Sequence, residues 1–309
     1  MENQIDNSIN HQIDGSSDNF YDCIIESNKN YIDIESFEME LIPDNISIST
    51  MSLACCLGVA FDTINIYKYM ILDLNDVIAI KSPTGLRCIK GYETQFKSTE
   101  KNSKKNFYNQ NTIIIRASDE SFLNVKLFKN GSIQMTGCKN LHHANIVLNK
   151  LMRKLSESVY IKNSDGLLKE IKFVNNSNNL TVKNFKIDLI NSNFGINYLI
   201  NKEKLFELLK SNHILCRLSP IHSCVNIKFK INLNEIEQIS SKKSYVSIFV
   251  FQTGNIIITG AKKAIHVRSA YRFIVKFLNT FKKDIIKRDI STLITSDDII
   301  SIVNQINNV

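Results

Sequence analysis

The residue types that could do chemistry in this chain recur in two matching twelve-residue segments, 128–139 and 251–262. Phe, Gly, Ile, Thr, Gly and Lys stand at the same six positions of both segments, and 123 residues separate each matched pair. The sequence shows no nucleophile–base pair, no His-Glu-x-x-His and no Gly-rich phosphate loop. The repeated residues therefore indicate a binding protein rather than an enzyme, and a repeat of this kind must be interpreted before the fold.

Each segment predicts a strand–hairpin–strand–helix unit. Asn130 with Gly131, and Thr253 with Gly254, follow an apolar strand, and such pairs are typical of tight hairpin turns. After each Thr-Gly-x-Lys, apolar residues recur three or four positions apart, which indicates an amphipathic helix. This stripe keeps the 123-residue spacing, from Leu148, Leu151 and Leu155 to Tyr271, Ile274 and Leu278. A hairpin and a helix that match together predict a duplicated unit.

Length and composition exclude several classes of protein. A chain of 309 residues can form one or two domains with a proper core. It has no apolar run near the ~18 residues that a membrane span needs, and no secretory leader. Seven scattered cysteines without a Cys-x-x-Cys pair predict reduced thiols in an intracellular protein. Neither a metal nor a cofactor is predicted, because no acid or cysteine completes a site with the adjacent His142 and His143.

The charge is divided unevenly along the chain. The net charge is +8, but residues 1–50 carry eleven acids and one base, which leaves +18 for the remainder. A basic body with an acidic arm indicates a polyanionic partner, and an arm that competes with that partner. A soluble surface with a solvated tail is the alternative. Residues 1–40 have few large apolar groups, so we expect a mostly disordered arm.

The rest of the chain predicts an α+β protein with antiparallel strands. Both halves follow the order strand, helix, strands, hairpin, helix. Apolar alternation predicts strands at 46–50, 112–116, 122–128, 182–190, 224–231 and 245–251, and the helical period predicts helices over 53–72 and 199–210. The predicted organisation is an arm (1–40), a first repeat (41–160, insertion about 73–106), a hinge (161–180), a second repeat (181–285) and a tail (286–309).

The pattern Phe-x-x-Gly-x-Ile-x-x-Thr-Gly-(Ala/Cys)-Lys ahead of a helix, present twice, resembles the TATA-box-binding protein family. The likeness covers about residues 41–285 and is specific in the two hairpins. Further matches are the strand at 185–190, the segment 42–46 and the strand at 114–116. The resemblance implies two pseudo-symmetric repeats that form a saddle-shaped, curved antiparallel sheet. Helices would cover the convex face, and the concave face would lie on the DNA minor groove.

The resemblance also implies roles for individual residues. On the matching positions, Phe128 and Phe251 would insert between base pairs as wedges and bend the duplex. Phe249, two residues before Phe251, would share its face of the strand. Asn45 matches an asparagine that contacts base acceptors in the family.

Other matching positions imply contacts with the groove floor and with phosphates. Thr136, Ile257 and Thr259 would touch base edges, in a groove where A·T and T·A present the same acceptors. Phosphate contacts, which make affinity depend on salt, are implied for Arg116, Lys139, Lys228 and Lys262.

Five positions depart from the family pattern. Gln110 and His222 stand where a second wedge phenylalanine is usual in each half. Leu189 replaces the second asparagine, Gln134 replaces a small apolar groove contact, and Cys138 replaces an alanine. Insertions occur at about 73–106 and 231–243. TATA-like specificity and sharp bending therefore do not follow from the resemblance.

The same residues have purely structural interpretations. Phe128 and Phe251 are compatible with a hydrophobic core, and Thr-Gly with turn chemistry alone, since Gly adopts positive φ without steric cost. Lys139 and Lys262 are compatible with ordinary solvated charges. Both interpretations stay open on the sequence alone.

Two functions follow. The first is a general transcription initiation factor that binds and bends AT-rich promoter DNA and recruits other initiation factors and RNA polymerase machinery. The alternative is a protein-interaction module that retains the fold but has lost sequence-specific bending. High Asn, Ile and Lys usage is compatible with a large DNA virus, so the expected location is the nucleus, or a cytoplasmic viral factory or virion.

Overall fold

The computed structural model describes residues 37–96, 109–218, 223–231 and 245–287. Most of the predicted arm, the basic loop at 97–106, His222, most of the insertion at 231–243 and nearly all of the tail lie outside these residues.

The first half begins with a long strand and ends with a long helix. Its elements are β1 (Ser47–Cys56), α1 (Thr63–Tyr69), β2 (Val77–Ser82), β3 (Gly85–Cys88), α2 (Glu93–Phe96), β4 (Gln110–Ser118), β5 (Ser121–Phe128), β6 (Ser132–Cys138) and α3 (Leu141–Ser156). A separate two-stranded sheet follows, made of β7 (Ser158–Lys162) and β8 (Leu168–Lys172).

The second half repeats this order without the β3 and α2 segment. Its elements are β9 (Lys183–Gly195), α4 (Lys202–Ser211), β10 (Cys216–Leu218), β11 (Cys224–Lys230), β12 (Tyr245–Phe251), β13 (Asn255–Ala261), α5 (Ala264–Thr280) and the single turn α6 (Lys282–Ile285).

The strands of both halves join in one antiparallel sheet. Its order is β10-β11-β12-β13-β9-β1-β6-β5-β4-β2-β3 in the described residues. β1 and β9 pair at the centre, and on either side the matching strands follow in the same sequence, β6-β5-β4-β2 and β13-β12-β11-β10. The predicted α+β class, the antiparallel pairing and the two pseudo-symmetric halves are therefore confirmed.

Period-two alternation gives this sheet two different faces. On β5, Leu123, Val125 and Leu127 are fully buried, whereas the residues between them are at least partly exposed. The buried side packs against the apolar stripes of α3 and α5, which include Leu151 and Ile274. Burial of one such side chain contributes about 1.5–3 kcal/mol. We call this side the helix-covered face, and the side that carries Phe128 and Phe251 the open face.

The predicted helix over 53–72 is wrong in its first half. Residues up to Cys56 continue strand β1, where buried Leu53 and Cys55 alternate with more exposed neighbours. The helix starts only after Asp62, whose side chain accepts hydrogen bonds from the backbone amides of Ile64 and Asn65 at 3.1 and 2.9 Å. Such a cap satisfies two of the amides that a helix start leaves unpaired.

The segment predicted as a hinge, 161–180, holds the end of β7, all of β8 and a 3₁₀ turn at Ser177–Asn179. It is tied to the loop after β1, because the backbone amide of Asp62 donates to the carbonyl of Phe173 at 2.8 Å. The amide of Ala60 donates to Asn175 Oδ1 at 3.1 Å. The segment therefore contains strands of its own and makes contacts with the first half.

The end of the predicted arm is part of the fold. Phe37 packs edge-to-face on Phe185 with 5.4 Å between ring centroids, and Met39–Leu41 form a 3₁₀ turn. The ordered body therefore includes residues that the sequence assigned to the arm.

Both hairpin glycines are required by geometry. Gly131 has φ +88°, and a Cβ built there would lie 2.1 Å from the carbonyl oxygen of Val59. Gly254 has φ +85°, and its Cβ would lie 2.7 Å from two carbonyl oxygens, those of Ile196 and Tyr198. An L side chain at either position would meet both strain and a backbone clash. Each hairpin is thus fixed against the loop that follows the central strand of its own half.

Candidate nucleic-acid interface

The two wedge candidates occupy equivalent positions on the open face. Phe128 and Phe251 are the last residues of β5 and β12, and both are partly exposed. Each carbonyl accepts the turn hydrogen bond from the hairpin glycine, Gly131 at 2.9 Å and Gly254 at 3.0 Å. Each ring therefore projects beside a rigid turn, where it can reach a flat partner such as a base pair.

The positions opposite these rings carry no aromatic side chain. Gln110 faces Phe128 across the β4–β5 pair, and Cys224 faces Phe251 across the β11–β12 pair. His222, the residue that the sequence matched to the second wedge, lies outside the described residues. In the described part of the open face, each half thus presents one ring at its hairpin end.

Three parallel rows of side chains cross each half of the open face. The outer row contains Phe128 in the first half and Phe251 in the second. The inner row contains Thr136 or Thr259, and the middle row lies between the two. In the inner rows Thr136 pairs with Ser52 and Asn124, and Thr259 pairs with Ser247. Thr259 Oγ1 also donates to Asn191 Oδ1, and Lys228 Nζ donates to Ser247 Oγ at 2.6 Å. Both threonines and the exposed Lys228 therefore lie on the open face.

The middle rows differ in chemistry between the halves. In the first half the row is Ala54, Gln134, Lys126 and Thr112. In the second half the matching row is Asn193, Ile257, Phe249 and Asn226. The predicted contact residues Ile257 and Phe249 are thus direct cross-strand neighbours. Their first-half counterparts are the amide of Gln134 and the cation of Lys126.

Lys139 and Lys262 are both exposed, just after β6 and β13 and before the long helices. Among the described residues, neither side chain has a hydrogen-bond or ion-pair partner. A phosphate contact for these lysines stays a prediction.

Arg116 makes internal contacts instead of standing free for a phosphate. Its Nε donates to the carbonyl of Leu74 at 2.6 Å, Nη1 to that of Asp119 at 2.8 Å, and Nη2 to the hydroxyl of Tyr92 at 3.1 Å. The guanidinium also lies 4.8 Å from the Phe122 ring centroid. The geometry therefore gives Arg116 the structural role of fixing the insertion to the sheet.

Asn45 does not lie on the open face. It precedes β1 in a turn, and its amide donates at 2.6 Å to the hydroxyl of Tyr271 on helix α5. The tertiary contact places it on the helix-covered side, because the Tyr271 ring packs 4.9 Å from buried Phe194. This placement does not support a contact between Asn45 and a base, which stays a prediction.

The pairing of β1 with β9 identifies the first-half residue that corresponds to Leu189, the residue that replaces the second asparagine of the family pattern. Ser52 pairs with Leu189, and Thr50 pairs with Asn191. A two-fold axis that exchanges β1 with β9 must interchange these two pairs, so Thr50 is the first-half counterpart of Leu189. Neither half then carries an asparagine at that position. Asn191 and Asn193 lie on the open face instead, and Asn193 Nδ2 donates to Ser49 Oγ at 3.0 Å. The alternation beyond Leu189 could have identified them.

Among the described residues, the first insertion covers the outer end of the open face in the first half. Phe96 of α2 stacks on Tyr92, and both rings meet Phe122 edge-on at about 6 Å. Ile114, which faces the open side of β4, is 1% exposed in this cluster. The open face is therefore longer in the second half, where the described residues show no such cover.

One acidic group lies on the open face of the first half. Asp188 forms an ion pair with Lys186 at 3.2 Å, and both line a shallow depression with Ala54, Phe128 and Gln134. The pair makes this depression close to neutral, although the chain as a whole is basic.

Two buried thiols are held in the neutral form. Burial raises the pKa of Cys55 to about 12 and that of Cys138 to about 11. Cys138 Sγ donates to the carbonyl of Asn140 at 2.8 Å, so the cysteine fills the place of the usual alanine as a small buried group. Among the described residues, no three His, Cys, Asp or Glu come close enough to hold a metal, and none of the helices could cross a membrane.

No protein-family model matches the chain. The chain is similar to a protein named TATA-box-binding protein-like from Acanthamoeba polyphaga mimivirus, with 37% identity over 278 residues that cover 83% of this chain and 70% of that protein. Among solved structures it is similar to the Methanococcus jannaschii TBP, with 16% identity and a TM-score of 0.42 over 77% of this chain and 99% of that one.

Proposed function

The chain belongs to the TATA-box-binding protein-like family, and we propose that it is a general transcription initiation factor that binds DNA. Its open face lies on the minor groove of AT-rich promoter DNA, and Phe128 and Phe251 insert between base pairs and bend the duplex. The helix-covered face recruits other initiation factors and RNA polymerase machinery.

The observation that supports this proposal most directly is the matched placement of the two rings. Phe128 and Phe251 end equivalent strands, stand partly exposed on one face of a continuous sheet, and are each followed by a hairpin glycine. A ring that only filled the core would be expected on the helix-covered face. Exposed Lys228, Lys139 and Lys262 add cations on or beside the same face, which favours a polyanion.

The test is end-to-end fluorescence transfer in an AT-rich duplex labelled at both ends, with the wild-type chain and Phe128→Ala/Phe251→Ala. Stacking of a ring on a base contributes about 1–3 kcal/mol. We therefore expect the double variant to bind the duplex about ten-fold more weakly or worse, and to reduce its end-to-end distance less than the wild-type chain does. Tyr160→Ala on β7 removes an exposed ring away from the open face and should change neither quantity.

A protein-interaction module remains the second candidate, and two observations favour it. Gln110 and Cys224 stand opposite the rings in place of further aromatic groups, and Asp188 puts a carboxylate on the open face. This candidate predicts no binding of the duplex at moderate salt. Binding without shortening, unchanged by the double variant, would instead indicate a phosphate-binding protein that does not insert its rings.

A further inference from the structure

The two halves of the open face differ most in their middle rows, and this difference bears on base composition. Gln134 of the first half and Ile257 of the second occupy two-fold related positions, 123 residues apart. Both are partly exposed on the open face, so both are available to a ligand that covers the sheet. A ligand that covers the sheet would therefore meet Gln134 in the first half and Ile257 at the equivalent position of the second half.

The surroundings of the two residues increase the contrast. Ile257 lies between Phe249 and Asn193, so the β-branched side chain and the ring form an apolar pair beside an amide whose Nδ2 donates to Ser49 Oγ. Gln134 lies between Lys126 and Ala54, and Lys186 pairs with Ala54 on the next strand. The first-half floor is therefore an amide beside Lys126, with the ion pair of Lys186 and Asp188 on the strand beyond Ala54.

The minor groove offers a single chemical difference between its base pairs. A·T and T·A present only acceptors there, whereas G·C adds the N2 amino donor of guanine. An apolar floor leaves that donor without a partner when the groove is covered, and an unsatisfied buried donor is costly. A glutamine amide carries both an acceptor and donors, so it can bind either kind of base pair.

We infer that the two halves discriminate bases unequally: the second half requires A·T pairs, whereas the first half accepts G·C pairs through Gln134 Oε1. This inference rests on the proposed minor-groove function and goes further, because it names Gln134 and Ile257 as the residues that set specificity. The preferred site is then asymmetric, with the A·T-only part under β12 and β13.

The experiment measures affinity by fluorescence anisotropy for three duplexes of equal length. One has only A·T pairs in the covered region, one has G·C pairs in one half of it, and one has G·C pairs in both halves. A protein free to choose its orientation will place its first half on the G·C side. We therefore expect the second duplex to bind nearly as well as the first, and the third to bind about ten-fold more weakly.

Two reciprocal variants locate the effect. Gln134→Ile should weaken the half-G·C duplex about ten-fold relative to the A·T duplex, and Ile257→Gln should recover the same factor, relative to the A·T duplex, on the duplex with G·C in both halves. Replacing guanine by inosine removes only the N2 amine from the minor groove. It should therefore restore binding of the duplex with G·C in both halves to the wild-type chain, and binding of the half-G·C duplex to Gln134→Ile. Thermal melts of both variants check that these partly exposed positions tolerate the change.

The outcomes separate this inference from the proposed function. If the half-G·C duplex binds as weakly as the third duplex, or Gln134→Ile changes nothing, the inference is wrong while minor-groove binding stands. If inosine fails to restore binding, the discrimination does not act through the N2 amine and the inference is also wrong. If the A·T duplex itself does not bind, the proposed function fails and the inference fails with it.

Discussion

Arg116 and Lys262 carry the same charge in different surroundings. Three guanidinium nitrogens of Arg116 donate to Leu74, Asp119 and Tyr92, so its charge is engaged in joining the insertion to strand β4. Lys262 is exposed after β13 with no internal partner among the described residues. Because a charged group contributes to salt-dependent binding only when it reaches a phosphate, the two residues should respond differently to truncation.

Arg116→Ala should therefore lower stability, and Lys262→Ala should alter DNA binding. Loss of hydrogen bonds from a charged donor costs about 1.5–3 kcal/mol, measured as a shift in the urea midpoint at constant slope. Lys262→Ala should leave that midpoint in place and reduce the slope of log affinity against log salt by about 0.9.

Lys169→Ala, on the separate β7–β8 sheet, is the matched control and should change neither quantity. The assignment of Arg116 to structure would be contradicted if its variant kept full stability and reduced the salt slope like Lys262→Ala.

The hairpins are the elements on which the candidate interface depends. Each hairpin positions its wedge candidate, Phe128 or Phe251, through the turn hydrogen bond from the hairpin glycine to the carbonyl of that phenylalanine. The Gly131 turn is itself held, because the amide of Leu57 donates to the Gly131 carbonyl at 3.0 Å. The Gly254 turn is held in the same way by the amide of Ile196, also at 3.0 Å. The rings are therefore fixed relative to the central strands as well as to their own hairpins.

Gly131→Ala should destabilise the protein more than Gly166→Ala. Both glycines have positive φ, +88° and +78°, so an alanine meets a similar conformational cost of about 1–2 kcal/mol at each. Only at Gly131 would the new Cβ also collide with the carbonyl of Val59, while at Gly166 nothing lies within 4 Å. We expect a difference of roughly 1–3 kcal/mol in the free energy of unfolding, and equal losses would argue against the close approach.

At the scale of the whole molecule, one sheet joins the two halves. β1 and β9 pair from Ser47 to Cys56, and each central strand also pairs with the second strand of its own hairpin, β6 or β13. Burial on the helix-covered face continues across this junction through Met51 and Ile190, both 0% exposed. Neither half can lose its central strand without exposing the core of the other.

Thermal unfolding should therefore show one cooperative transition for both halves. In a calorimetric scan, Gly131→Ala in the first half and Gly254→Ala in the second should each shift this single peak to lower temperature. Two resolved peaks, with each variant moving only one of them, would mean that the halves unfold independently despite the shared sheet.

Local patterns in the sequence were enough to predict the repeated unit, the antiparallel α+β class and the residues at the two hairpins. These depend on local chemistry: Asn-Gly and Thr-Gly turns, the alternation of β5 and β12, and the helical stripe around Leu151 and Ile274. Local periodicity was insufficient at 53–72, where spacings of three suggested a helix over the last residues of strand β1.

Contacts between distant parts of the chain determine which side chains share the open face. The partners of Arg116 and Asn45 are 24 and 226 residues away in sequence, in Tyr92 and Tyr271, and no local pattern predicts contacts of that range. The register between β1 and β9 determines that Thr50 is the counterpart of Leu189, because a shift of one residue would turn each side chain to the other face. The cover of Phe96 over one half likewise depends on packing between distant strands.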